Sequence, residues 1–171
     1  MTDDPTPQSS ELIAHSRAFA DRYEPYDTPR PRRHVAVVSC MDARLDLFGL
    51  FGLDIGDAHL IRNAGGVVTD DVLRSLVISQ RKLGTREILL VHHTQCGQLT
   101  YTDDDLRNEL LEETGYKPPW SPESFADLDE DLRQSMRRVL ASPFLPHKDH
   151  VRGFVFEVET GVLREVTLPE G

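Results

Sequence analysis

Two short apolar runs, Val35-Ala36-Val37-Val38 and Ile88-Leu89-Leu90-Val91, each lead into a segment dense in reactive side chains. The first opens into Ser39-Cys40-Met41-Asp42-Ala43-Arg44, the second into His92-His93-Thr94-Gln95-Cys96-Gly97. Apolar runs this short, bounded by polar residues, read as buried strands. In an open parallel sheet, residues just past the carboxyl ends of neighbouring strands meet in a common crevice. Such a fold brings Cys40, His93 and Cys96 together, with Asp42 and Arg44 beside them.

The sequence between and around these strands supports that topology. A strand over about 58–62 ends at Arg62-Asn63 and opens into Ala64-Gly65-Gly66, where adjacent glycines let the backbone approach a ligand closely. Thr69 or Asp70 caps a helix with an apolar stripe of Val72, Leu73, Leu76, Val77 and Leu83, stopped by Gly84. Strand, helix, strand is a βαβ unit with parallel pairing and a right-handed crossover. Leu45, Leu47, Phe48, Leu50, Phe51 and Leu53 suit a short buried helix and turn. Thr102-Asp103-Asp104-Asp105 starts a helix reaching about Thr114, and its acidic start suits the helix dipole. Ser121-Pro122-Glu123 reads as the cap of a helix carrying Leu128, Leu132, Met136, Val139 and Leu140. Phe154, Phe156 and Val158 then alternate into a hairpin that turns at Thr160-Gly161 and returns over Val162 to Val166.

At the other end, residues 1–8 are polar and expected to be flexible. From Ser10, Leu12, Ile13, Phe19, Ala20 and Tyr23 recur at near-helical spacing, and the three prolines between Pro25 and Arg33 end that helix. The expectation is an α/β fold: a single domain with a central, mainly parallel β-sheet flanked by helices. Residues 1–33 form an N-terminal helix and Pro-rich connector, and residues 34–171 the α/β part that carries Cys40, His93 and Cys96.

A chain of 171 residues suits one core rather than two. A formal charge of −10 argues against nucleic acid or an anionic membrane as partner. No apolar run approaches the roughly 20 residues of a membrane span, and the N-terminus lacks a signal-peptide layout, so a cytoplasmic location is expected. Cys40 and Cys96 are the two cysteines of the chain. A single disulfide between them would be unusual in a reducing compartment, and thiolates are what a metal needs. Two sulfurs and one imidazole suit zinc, and three protein ligands leave a fourth position open, the mark of a catalytic site. His92, adjacent to a ligand, faces the other side of its strand and reads as a packed histidine rather than a proton shuttle.

Cys40-x-Asp42-x-Arg44 followed by His93-x-x-Cys96-Gly97 resembles the signature of the β-class carbonic anhydrases. The resemblance takes in Arg62-Asn63-Ala64-Gly65-Gly66 and runs from about His34 to the C-terminus. It is nearest to short mycobacterial-type members, which share Thr-Asp-Asp-Val at 69–72 and Trp-Ser-Pro-Glu-Ser at 120–124. It implies that Cys40, His93 and Cys96 bind Zn2+ and that metal-bound hydroxide reversibly hydrates carbon dioxide to bicarbonate. It further implies that Asp42 accepts a hydrogen bond from the zinc water while Arg44 fixes Asp42, and that Gly65, Gly66 and Gly97 line the substrate pocket. In some family members the aspartate instead leaves its arginine and takes the fourth zinc position, and Asp42 is open to either role. The family also implies a homodimer or dimer of dimers, with the N-terminal helix lying across the neighbouring subunit. Two alternatives stand beside carbon dioxide hydration: hydrolysis of carbonyl sulfide or carbon disulfide at the same zinc, and a non-catalytic zinc-stabilised binding protein closed by Asp42.

Overall fold

The structure, a computed structural model, describes residues 8–169. The flexible tail expected over 1–8 therefore lies, apart from Gln8, outside the described residues. A five-stranded sheet forms the centre, and in chain order its strands are β1 (Val35–Cys40), β2 (Ala58–Asn63), β3 (Glu87–His93), β4 (Val151–Phe156) and β5 (Leu163–Val166). Across the sheet they stand in the order β2-β1-β3-β4-β5. β1 pairs in parallel with both β2 and β3, β3 pairs in parallel with β4, and β5 returns antiparallel as the second half of a hairpin. Ser39 is level with Val91 in the β1–β3 register, so Cys40 and His93 leave adjacent strands within one residue of the same height.

The helices are α1 (Gln8–Ala20), α2 (Leu47–Phe51), α3 (Asp70–Leu83), α4 (Asp103–Thr114) and α5 (Leu128–Ala141). α3 forms where the stripe predicts it. Thr69 caps it by accepting from the Val72 N–H, Gly84 closes it in the left-handed conformation, and acidic first-turn and basic last-turn residues complement its dipole. α3 and α5 cover one face of the sheet, packing Val72, Leu76, Leu132, Met136 and Val139 on Ala36, Val38, Ile88, Leu90 and Val155. Each fully buried Leu or Ile in that layer contributes on the order of 2 kcal/mol of transfer free energy. The other face is thinly covered: α2 seats Leu47 on Val37 and Val91, and Val35, Leu60, Leu89 and Leu163 stay only partly buried.

Three local expectations change. The helix placed after Ser121 begins at Leu128, because Asp127 caps it and Ser121 spends its hydroxyl on Asp103. Of the apolar residues around α2, only Leu45 and Leu47 are buried, and Phe48 points outward. α1 is a helix but buries none of its residues: Leu12 is 70%, Ile13 63% and Phe19 51% exposed. The connector behind it is anchored, with the Arg32 and Arg33 guanidinium groups donating to the two carboxylate oxygens of Asp57 at 2.9 and 3.1 Å.

Candidate metal centre

Cys40 is the last residue of β1, His93 the last of β3, and Cys96 follows in the loop beyond β3. That loop is pinned to the end of β4, since the Thr94 N–H donates to the Phe156 carbonyl at 3.0 Å and the Val158 N–H to Thr94 Oγ1 at 3.1 Å. Gln95 takes the left-handed conformation, φ 56°, which folds Cys96 back toward the sheet. The two sulfurs and one ring nitrogen lie within 4.8 Å of one another, all three residues are buried, and both cysteines are free thiols.

The chemistry of this donor set fits zinc. His93 Nδ1 stands 2.9 Å from the Thr94 carbonyl, which can only accept, so the other nitrogen carries the lone pair. That nitrogen, Nε2, is buried without a hydrogen-bond partner among the described residues. A buried acceptor left alone is costly unless something occupies it, and a cation between two thiolates is such an occupant. Cys40 is biased toward thiolate: the Cys96 thiol is turned to its sulfur, and the backbone N–H groups of Asp42 and Gly65 face it, together pulling its pKa down against the effect of burial. Cys96, as donor to Cys40 and buried, is pushed up. One proton shared between two sulfurs is what an arriving metal would displace.

Asp42 stands at the rim. Arg44 grips it from Nε at 2.9 Å and Nη2 at 2.8 Å, and the Arg44 backbone N–H adds a third bond at 2.9 Å. These bonds hold the carboxyl well below the usual carboxylate range. Asp42 Oδ2 lies 3.8 Å from His93 Nε2. Arg62 fixes the backbone beneath, donating to the carbonyls of Cys40 at 2.9 Å and Asp42 at 2.6 Å.

A cavity of about 290 Å³ opens on this cluster, lined by Cys40, Met41, Asp42, Gly65, Cys96 and Gly97. Gly66 does not line it; it backs the site, packed against the β1 backbone so closely that a Cβ there would lie 2.8 Å from the Cys40 nitrogen. Gln98 and Tyr101 also line the cavity and hydrogen-bond to each other. Sequence reasoning passed over both, since neither belongs to the ligand spacing. His92 is fully buried on the opposite face, its Nε2 2.7 Å from Asp131 of α5 and its ring stacked on Phe125.

The family profile described as carbonic anhydrase matches residues 35–163. The chain is 54% identical over 160 residues to Beta-carbonic anhydrase 1 of Mycobacterium tuberculosis, covering 93% of this chain and 98% of that one. It is 35% identical over 154 residues to a carbon disulfide hydrolase of Acidithiobacillus thiooxidans, covering 77% and 76%. Among solved structures, a carbonic anhydrase from Streptococcus mutans superposes with a TM-score of 0.88 at 37% identity, covering 95% of this chain and 99% of that one.

Proposed function

The chain belongs to the carbonic anhydrase family, in its β class, and from that membership we propose that it catalyses the zinc-dependent, reversible hydration of carbon dioxide to bicarbonate. The observation that carries this reading is the convergence of Cys40, His93 and Cys96, with both cysteines lining a cavity whose rim presents an ion-paired carboxylate. Cys40 Sγ, His93 Nε2 and Cys96 Sγ would hold the metal. Zinc so held supplies a Lewis acid that yields a nucleophile from water near neutral pH.

The remaining work falls to the protein. Asp42, kept ionised by Arg44, is an acceptor only, so it orients the reacting water by taking a hydrogen bond from it. Gly65 and Gly97 leave the cavity wall without side chains, and Gly66 lets that wall lie directly on β1. The paired Asp42 favours turnover over a closed binding protein, because Arg44 competes for the carboxylate that would seal the shell. Both thiols must stay reduced to ligate, which suits the cytoplasm. Among the described residues, no helix is long and apolar enough to cross a membrane.

The assembly proposed is a two-fold homodimer, extendable to a dimer of dimers. α1 exposes Leu12, Ile13 and Phe19, and the sheet face under α2 is incompletely covered, so two apolar surfaces lack partners among the described residues. Residues 1–33 act as the arm that crosses to the partner and residues 34–171 as the catalytic unit.

Stopped-flow assay of the zinc-loaded chain with carbon dioxide, carbonyl sulfide and carbon disulfide tests the substrate. Carbon dioxide is expected to turn over fastest by orders of magnitude. Faster hydrolysis of either sulfur compound would place this chain with the carbon disulfide hydrolases it resembles less closely.

A further inference from the structure

Arg44 is held from two sides. One edge of its guanidinium, Nε and Nη2, meets the Asp42 carboxylate. The other meets Gln95: Nη2 donates to the Gln95 backbone carbonyl at 3.1 Å, and Nη1 to its side-chain oxygen Oε1 at 3.3 Å. The far end of the same amide, Nε2, donates to Glu159 Oε1 at 2.7 Å. Glu159 lies 64 residues downstream, in the Glu157–Gly161 turn between β4 and β5.

An amide has a donating and an accepting end, and which end faces a neighbour is often ambiguous. Here both neighbours have a single role. A guanidinium only donates and a carboxylate only accepts, so Oε1 must face Arg44 and Nε2 must face Glu159. Glu159 thereby selects the one amide orientation that helps Arg44; the flipped amide would set N–H against N–H. The left-handed φ of Gln95, uncommon for a residue other than glycine, aims its backbone carbonyl at the same guanidinium. Arg44 itself is half exposed, its side chain 47% accessible, so without these contacts only Asp42 would restrain it.

We propose that Gln95, oriented by Glu159, is a positioning residue for Arg44 and so sets how firmly Asp42 is kept at the cavity rim. The relay runs Glu159, Gln95, Arg44, Asp42, and it makes the turn before β5 part of the site's control. This rests on the reading of Asp42 as the acceptor for the reacting water. Weakening the relay frees the Arg44–Asp42 pair to swing together away from the productive position.

The test uses the zinc-loaded full chain and two readouts. One is solvent exchange of the Arg44 guanidinium protons followed by NMR, and the other is the carbon dioxide hydration rate at neutral pH. Gln95→Asn keeps a residue tolerant of left-handed φ but shortens the amide beyond reach of both partners. Glu159→Leu removes the orienting acceptor at a distance from the metal loop. In each, exchange is expected to quicken and hydration to slow by about three- to tenfold, the span of one ordinary hydrogen bond, with zinc content and melting temperature unchanged. Glu159→Gln, which restores an accepting oxygen, should recover most of the protection lost in Glu159→Leu. Unaltered Arg44 exchange in both Gln95→Asn and Glu159→Leu would overturn the proposal, as would a Glu159→Gln chain no better protected than Glu159→Leu. If the wild-type chain fails to hydrate carbon dioxide while Arg44 exchange still responds, the relay stands and the proposed function falls.

Discussion

His93 Nδ1 donates to the carbonyl of its own neighbour, Thr94, at 2.9 Å, and that bond fixes which ring nitrogen faces Cys40 and Cys96. Nε2 is therefore the nitrogen left free to take a metal. A long-range 1H–15N NMR spectrum of the zinc-loaded chain should show Nδ1 protonated and Nε2 shifted as a ligand. His93→Ala should lower zinc affinity by at least a hundredfold, a larger loss than the 10- to 100-fold typical of supporting residues. Full zinc retention in that variant would remove His93 from the ligand set.

Gly66 and Gly97 both lie beside the Cys40, His93 and Cys96 cluster and predict opposite outcomes. Gly66 has φ +73°, and a Cβ added to it meets the Cys40 nitrogen at 2.8 Å and the Val91 carbonyl oxygen at 3.2 Å. Neither obstacle is a side chain that can turn away. Gly66→Ala should cost roughly 2–4 kcal/mol in strain and displaced backbone, read as a drop in melting temperature of about 5–15 °C with impaired zinc loading. A Cβ at Gly97 meets nothing within 4 Å, so Gly97→Ala should melt close to wild type.

Asp57 carries the pH dependence of the connector. The backbone N–H of Asp54 and the guanidinium groups of Arg33 and Arg32 all donate to its carboxylate, holding its pKa below the ordinary value. A carboxyl whose folded pKa is depressed adds stability above its unfolded pKa and loses it as pH falls through the folded one. Asp57→Asn should lower the melting temperature at pH 7, with a gap that narrows below about pH 4. A pH-independent gap would show that the charge is irrelevant.

Much of this was legible in the sequence because its causes are local. The runs at 35–38 and 88–91 specify buried strands by composition, Thr69 and Gly84 bound α3 by cap chemistry, and Cys40, His93 and Cys96 declare a metal by donor type. What escaped depends on distant partners. Ser121 has the form of a helix cap, yet its hydroxyl is taken by Asp103, 18 residues earlier, and the helix waits for Asp127. Gln95 carries no signal in its spacing, since its role comes from a left-handed backbone and from Glu159. The apolar spacing of α1 predicts a helix but not that its own domain offers it no seat.

That unseated helix yields the assembly prediction. Removing residues 1–24, or changing Phe19 to Glu, should weaken the proposed dimer by at least tenfold, measured by light scattering across micromolar concentrations. A monomeric mass for the intact chain at those concentrations would refute the arrangement.

One zinc on Cys40, His93 and Cys96 should make this chain a catalyst of carbon dioxide hydration. The most direct measurement is a titration of metal-depleted protein with zinc, following the stopped-flow hydration rate in parallel for wild type and Cys96→Ser. The wild-type rate should climb linearly and level off at one zinc per chain, while Cys96→Ser stays near the uncatalysed rate. Hydration by the depleted chain, or full activity in Cys96→Ser, would contradict the account.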